Sequence, residues 1–101
     1  MNKIVAVFEA PGFTSENYDA ILVELKAQGK FPNDECPSHA AFMKGNNWCV
    51  VDVWNSEEAF MSFGKDSLFP IFQKLGIPAV EPQVYALYNY HIAAVEEPIS
   101  M

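Results

Sequence analysis

The chain has 101 residues, half of them hydrophobic, and its 13 acidic and 6 basic side chains give a net charge of -7 at pH 7. This length predicts one domain, and this composition can form a core without disulfides or a structural metal. All the basic residues are lysines. Nucleic acid and anionic membranes are therefore not expected as partners, because both bind through a basic surface. The lack of arginine also disfavours a strongly anionic substrate.

The expected compartment is the cytoplasm. Met1–Lys3, ahead of the first predicted strand, is too short and too weakly charged for a signal peptide, and no apolar run approaches the length of a membrane span. The two cysteines, Cys36 and Cys49, could pair with each other. In a cytoplasmic protein we expect both to be reduced.

The N-terminal part of the chain predicts a strand followed by a helix. The apolar run 3–10 predicts strand one, which a turn at Pro11–Gly12 closes. Thr14 is a natural N-cap, and apolar residues recur at helical spacing over residues 15–28. Gly29 then ends helix one.

A hairpin follows a proline-containing loop. Residues 39–44 predict strand two, and residues 47–56 predict a central strand, because they are rich in valine and tryptophan and contain no glycine or proline. A turn at Asn46–Asn47 would place His39 opposite Trp54 and leave every side chain on the same face. A turn at Gly45–Asn46 instead pairs Met43 with Trp48, Ala41 with Val50 and His39 with Asp52.

The C-terminal half predicts a broken helix and a last strand. Ser56 caps helix two, and we expect a break near residues 65–67. A second helical piece at residues 68–75 would hold Pro70 in its first turn, where proline is tolerated. Residues 83–92, rich in aromatic and branched side chains, predict strand four.

The order β-α-β-β-α-β predicts an α+β, ferredoxin-like fold, in which two helices cover one face of a four-stranded antiparallel sheet. Strands one and three should be central. The domain should span residues 1–93, and residues 94–101 should form a mobile tail.

Both faces of the central strand are apolar, so both must be covered. We expect the helices to pack on the face of Cys49, Val51 and Val53. The other face, with both tryptophans and the polar pair His39 and Asp52, would then need a second copy of the chain. The expected assembly is a homodimer whose sheets close an α/β barrel around a partly polar cavity.

Four sequence stretches carry a likeness to a known family: FEAPGFT (8–14), PSHA (37–40), WCVVDVWNSEEAF (48–60) and VYALYNYH (84–91). Together with the element order, and over about residues 3–92, they resemble the dimeric α/β-barrel superfamily, especially the small proteins related to antibiotic-biosynthesis monooxygenases. This superfamily includes cofactor-free oxygenases of polycyclic phenols, haem-degrading oxygenases, lactone isomerases and members without known activity.

The resemblance implies chemistry without a cofactor. The cofactor-free oxygenases have a pocket of Asn, Trp, Tyr and Arg, of which this chain has the first three types and no Arg. The haem degraders carry a His on the second helix, which helix two of this chain lacks. A metal site is not expected either, because Cys36 and His39 have no second Cys/His pair near them in sequence.

His39 and Asp52 are the candidate catalytic residues. As a functional pair, Asp52 would accept a hydrogen bond from one ring nitrogen of His39 and leave the other to take a proton from a phenol or enol. As a structural pair, the two would only satisfy each other's polar groups and fix the strand register. The sequence leaves both interpretations open.

The candidate ligand-binding residues lie on the same predicted face or at strand ends. Trp54 and Trp48 could stack on a flat aromatic ligand, or pack in the dimer core. In strand four we place Asn89 and His91 toward the cavity, although the opposite orientation is also possible. The full set is Trp54, Trp48, Asn89, His91, Met43 and Glu9.

The sequence thus predicts a protein that binds a small aromatic or polycyclic ligand in a dimeric barrel, with a cofactor-independent monooxygenase as the leading activity. The alternative is a non-catalytic binding or structural homodimer.

Overall fold

The computed structural model describes residues 2–92 and forms one four-stranded antiparallel sheet covered by helices. The strands follow the order β2-β3-β1-β4, which confirms that strands one and three are central. The elements are β1 (Ile4–Pro11), α1 (Ser15–Ala27), β2 (Ser38–Lys44), β3 (Asn47–Trp54), α2 (Glu57–Phe63), α3 (Phe69–Leu75) and β4 (Gln83–Ala86). The predicted tail at residues 94–101 lies outside the described residues. Every helix within residues 2–92 is too short or too polar to cross a lipid bilayer.

The β2–β3 hairpin has the predicted register. Lys44 pairs with Asn47 around a two-residue turn, and His39 pairs with Asp52. Gly45, the first central residue of the turn, has φ of +62°. A type II′ hairpin turn requires glycine at that position, so the alternative turn at Asn46–Asn47 is excluded.

Helices α1 and α2 each begin at a residue whose side chain caps the helix N-terminus. Thr14 accepts a hydrogen bond from the Asn17 N–H, and the Asn17 side chain accepts one from the Thr14 N–H, so the two form a reciprocal capping box. Ser56 accepts from the Ala59 N–H in the same way at α2. Both predicted N-caps are confirmed.

The predicted break near residues 65–67 is absent, because the chain stays helical from α2 to α3. Residues 64–68 form a π-helical turn between α2 and α3, and Pro70 lies in the first turn of α3 as predicted. The wider turn leaves room for the proline ring, which would clash with the carbonyl of the preceding turn in a regular helix. Gly76 ends α3 in the left-handed conformation, with φ of +67°.

Strand four is shorter than predicted. It ends at Ala86 and not at Ile92, because it pairs only with β1 and runs antiparallel to it. Ala86 already lies opposite Ile4, the first residue of β1, so one further bond, from the Leu87 N–H to the Lys3 carbonyl, completes the ladder. Strong β-propensity over residues 87–92 cannot extend a strand that has no partner.

The prediction of which sheet face meets the helices was wrong. Trp54 packs on Phe60 and Phe63 of the α2 helix, with ring centroids 5.6 and 5.0 Å apart, and Trp48 packs on Tyr18 of α1 at 5.2 Å. The face of Trp48, Trp54, His39 and Asp52 therefore lies beneath the helices. The face of Val51 and Phe42 is the one that the helices leave open.

Two physical effects account for this orientation. The indoles are large enough to fill the gap between the sheet and the aromatic faces of the helices, whereas Cys49 and the valines are not. The His39 imidazole and the Asp52 carboxylate on this face are also hydrogen-bonded, so burying them does not carry the penalty of unpaired groups. The result is one core on the sheet, formed by Ile4, Ala6, Trp54 and Phe60, and a second between α1 and α3, formed by Ile21, Leu25, Ile71 and Phe72.

Candidate functional site

A cavity of about 280 Å³ lies between the sheet and the helices of a single chain, so the predicted site residues do not line a cavity between the sheets of two chains as expected. Most of its wall consists of aromatic and aliphatic side chains of β1, α1, β3, α2 and α3. The loop between α1 and β2 closes one side. The polar side chains in the wall are few. They are Tyr18, Lys30, Asn33, Cys36, His39 and Asp52, together with the indole N–H groups of Trp48 and Trp54.

His39 and Asp52 meet at this wall, as the hairpin register predicts. Nδ1 of His39 lies 2.5 Å from Oδ1 of Asp52, and the Asp52 side chain is only 8% exposed. The other carboxylate oxygen, Oδ2, accepts a hydrogen bond from the Trp54 indole N–H at 3.4 Å. The carboxyl group therefore has a donor on each oxygen, which offsets the cost of its burial.

Tyr18 completes a chain of three polar side chains. Its hydroxyl oxygen lies 2.5 Å from Nε2 of His39, the ring nitrogen that Asp52 leaves free. The two rings are nearly parallel, with centroids 5.9 Å apart and planes 11° apart. Tyr18 is the fourth residue of α1, so the Thr14 cap that fixes the start of this helix also fixes the phenol against the sheet.

The order of donors in this chain follows from the chemistry of its ends. When Asp52 is ionised and His39 is neutral, the proton between them belongs to Nδ1, because a carboxylate only accepts hydrogen bonds. Nε2 is then an acceptor, and the Tyr18 hydroxyl donates to it. Burial, followed by the negative charges of Asp52 and Asp19, raises the pKa of Tyr18 above its usual value of 10.0, so this phenol keeps its proton at neutral pH.

Aromatic rings surround the His39 imidazole and the neighbouring wall. Phe31, from the loop after α1, meets His39 edge-on at 5.4 Å. The indole N–H of Trp48 is buried without a hydrogen-bond partner among residues 2–92. The Trp48 ring is packed between the rings of Tyr18 and Phe13, with centroid distances of 5.2 and 6.5 Å.

Cys36 also lines the cavity, and its environment makes it unreactive. Burial, followed by the negative charge of Asp52, raises the pKa of the Cys36 thiol to about 12, against 9.0 for an ordinary thiol. The thiol donates to the Ser38 carbonyl at 3.3 Å. Since only the thiolate is a strong nucleophile, Cys36 is not suited to covalent catalysis. Both cysteines are free, as predicted.

Four of the predicted site residues lie together at the cavity: His39, Asp52, Trp48 and Trp54. Trp54 is 2% exposed and packed on all sides, so most of its ring belongs to the core. Trp48 presents more of its surface.

The other four predicted site residues are placed elsewhere. Asn89 and His91 lie beyond the end of β4 and are exposed, because the strand that would have aimed them inward stops at Ala86. Met43 shares the sheet face of His39 but lies near the hairpin end, is 53% exposed and does not line the cavity. Glu9 is on the open face, where Asn47 and Lys44 bind its carboxylate and lower its pKa.

Tyr18 and Phe31 are the site residues that the sequence prediction missed. Tyr18 belongs to the apolar stripe of helix one, where an aromatic residue is expected to be core. The sequence does place Tyr18 in the first turn of a capped helix. Which strand residue it contacts depends on the packing angle of that helix, which the sequence pattern does not give. Within residues 2–92, no cluster of three or more His, Cys, Asp or Glu side chains is arranged to hold a metal ion.

Comparisons with known proteins find the same fold at low sequence identity. Neither a protein-family model nor a curated protein matches the sequence. A solved structure of a conserved protein from Methanosarcina mazei Go1 is 15% identical, with a TM-score of 0.58, and the match covers 84% of this chain and 92% of that one.

Two further solved structures are candidate antibiotic biosynthesis monooxygenases. The protein from Chloroflexus aurantiacus J-10-fl is 17% identical, with a TM-score of 0.59, and the match covers 88% of this chain and 96% of that one. The protein from Deinococcus radiodurans is 12% identical, with a TM-score of 0.51, and the match covers 95% of this chain and the whole of that one. The resemblance seen in the sequence is thus confirmed at the level of the fold: the chain has the ferredoxin-like α+β fold of the antibiotic-biosynthesis-monooxygenase-like proteins.

Proposed function

We propose that this chain is a cytoplasmic homodimer that binds a small aromatic molecule bearing an acidic hydroxyl, and that it oxygenates this molecule without a cofactor. One observation carries the proposal: a hydrogen-bonded chain of Asp52, His39 and Tyr18 lies in the wall of an otherwise apolar, aromatic-lined cavity. Sites of this composition bind flat apolar molecules and orient them through a few polar groups.

The cavity volume limits the size of the ligand. An engineered apolar cavity of about 150 Å³ holds benzene. The cavity of about 280 Å³ is nearly twice as large. It therefore fits a molecule of one or two fused rings, and larger polycyclic phenols would need the loop between α1 and β2 to move.

In the proposed reaction, Nε2 of His39 takes the proton of the ligand hydroxyl, and Asp52 stabilises the resulting imidazolium. The phenolate is electron-rich and can react with molecular oxygen. A phenol and one O₂ give one quinone and one water: the ring gains one oxygen atom and loses two hydrogens, and the second oxygen atom leaves as water. The ligand supplies all four electrons, so no external reductant is needed.

The homodimer would form through the open face of the sheet. Val5, Val7 and Val51 share this face with Phe42, whose side chain is 45% exposed. A second copy of the same face is a natural cover for an apolar surface in a symmetric dimer.

A non-catalytic binding protein is the second candidate, and one observation favours it. The Tyr18 hydroxyl lies 2.5 Å from Nε2 of His39, so a neutral His39 already has a partner at the base nitrogen in the ligand-free protein. A protein that only binds would need the same cavity and no free base.

Two measurements, made one after the other, test the proposal. A thermal-shift screen with phenols, quinols and lactones should find compounds that raise the melting temperature, because ligands that bind only the folded form stabilise it. Oxygen uptake with those compounds then separates catalysis from binding. A screen in which no compound shifts the melting temperature would reject the proposed function.

His39→Gln keeps a polar side chain of similar size but cannot take the proton, and it should abolish oxygen uptake. The control is His91→Gln, because His91 is the other histidine of the chain and is exposed away from the cavity. Full oxygen uptake by His39→Gln would reject the base and leave the binding function standing.

A further inference from the structure

If His39 takes a proton directly from a ligand, the Tyr18 hydroxyl occupies the nitrogen that would accept this proton. In neutral His39, Nε2 has a single lone pair, and the Tyr18 hydroxyl lies 2.5 Å from it. A ligand hydroxyl and the Tyr18 hydroxyl therefore compete for the same acceptor.

We infer that Tyr18 is an internal occupant of the hydroxyl-binding position, and that a phenolic ligand displaces its hydroxyl from His39. This inference rests on the proposed function and specifies the ligand class: a flat aromatic alcohol whose hydroxyl takes the place of the Tyr18 hydroxyl at His39.

The contacts of Tyr18 describe what such a ligand would meet. Its ring is nearly parallel to His39 and tilted by 43° against Trp48 at 5.2 Å. A planar ligand ring that lies beside His39 in the cavity would pack against the same aromatic side chains. The buried Trp48 N–H has no acceptor among residues 2–92, so a ligand carrying an acceptor oxygen could also satisfy it.

The chemistry of Tyr18 makes it a weak occupant. Burial keeps its phenol protonated, because it raises the Tyr18 pKa. Tyr18 therefore offers His39 a neutral hydrogen bond, whereas a more acidic phenol can transfer its proton and form a charge-assisted bond to the imidazolium, which is stronger. The exchange favours ligands in the order of their acidity.

The test compares the wild-type protein with Tyr18→Phe, which keeps the ring and removes the hydroxyl. Titration calorimetry with 2-naphthol should give a Kd about three- to tenfold lower for Tyr18→Phe, the factor that corresponds to one competing hydrogen bond. The Kd of 2-methoxynaphthalene, which has no hydroxyl to donate, should be the same for both proteins.

The control variant is Tyr85→Phe. Tyr85 also donates its hydroxyl, to Gln83 at 2.7 Å, but it is 53% exposed and lies outside the cavity. Its removal should leave the Kd of 2-naphthol unchanged.

A measurement on the unmutated side chain covers the case in which Tyr18→Phe does not fold. In protein labelled with 3-fluorotyrosine, the fluorine signal of Tyr18 is assigned by elimination with Phe variants of the other three tyrosines. It should shift more with 2-naphthol than with 2-methoxynaphthalene, because only 2-naphthol displaces the Tyr18 hydroxyl.

The outcomes separate this inference from the proposed function. If 2-naphthol binds the wild type and binds Tyr18→Phe equally or more weakly, or leaves the Tyr18 signal in place, the inference is overturned and the proposed function stands. If no phenol binds either protein, both are overturned.

Discussion

The side chains of His39 and Asp52 meet across the β2–β3 ladder, with 2.5 Å between Nδ1 and Oδ1. The pair is largely buried, and each residue has one further partner, the Tyr18 hydroxyl for His39 and the Trp54 indole for Asp52. A charge-assisted hydrogen bond that is shielded from water contributes more to stability than one on the surface.

We therefore expect strong energetic coupling between His39 and Asp52. A double-mutant cycle with His39→Ala and Asp52→Ala, measured by urea unfolding, should give a coupling energy of about 2 kcal/mol. The comparison pair is Lys74 and Glu24, which lie 2.8 Å apart with the lysine side chain 65% exposed. Its cycle should give less than about 1 kcal/mol. Equal coupling in the two cycles would contradict the buried pairing.

The same substitution should destabilise the protein more at Trp54 than at Trp48. Trp54→Phe removes a fully buried ring edge and the indole N–H that Asp52 accepts, and should lower the free energy of unfolding by about 2 kcal/mol. Trp48→Phe removes an N–H that has no partner among residues 2–92, so it should change stability by less than about 1 kcal/mol. Thermal and urea unfolding of the two variants measure the difference. A larger loss for Trp48→Phe would mean that its N–H is satisfied in solution.

The order of elements, the hairpin register and both N-caps could be predicted from the sequence because each depends on local chemistry. Glycine at the first turn position fixed the pairing of His39 with Asp52, and Thr14 and Ser56 marked the helix starts. These signals act over a few residues and do not require knowledge of the packing.

The choice of the covered sheet face could not be predicted in the same way. Both faces of β3 are apolar, and the polar pair on one of them suggested the outside. That expectation overlooked Tyr18 and the Trp54 indole, which satisfy the pair from within the core. Tyr18 and His39 are far apart in sequence, and whether they meet is decided by the angle at which α1 crosses the sheet, which no local pattern encodes.

The open face of the sheet leads to a prediction about assembly. Phe42→Asp places a charge on this face and should convert the proposed dimer to a monomer, because a buried, unpaired carboxylate is costly at an interface. Val23 is 64% exposed on α1, so Val23→Asp is the control and should not change the mass of the assembly in solution. Sedimentation at micromolar concentration measures both. A wild-type chain that is monomeric there would contradict the dimer itself.

The raised pKa of the Cys36 thiol leads to a prediction about its reactivity. Burial raises this pKa to about 12 from 9.0, so the thiol is protonated at pH 8, and native protein should react with iodoacetamide at least about tenfold more slowly than urea-unfolded protein. Cys49→Ala isolates the reaction at Cys36.

The same shift of the Cys36 pKa affects stability at alkaline pH. The folded state favours the protonated thiol, so this contribution is fully present below pH 9 and is lost as the pH rises from about 9 toward 12. Cys36→Ser, which has no thiol to ionise, should lose less stability over that range than the wild type. Urea unfolding at pH 8 and pH 10.5 measures this difference. Parallel losses in the two proteins, or rapid labelling of native Cys36, would show that the thiol is solvated and not part of the cavity wall.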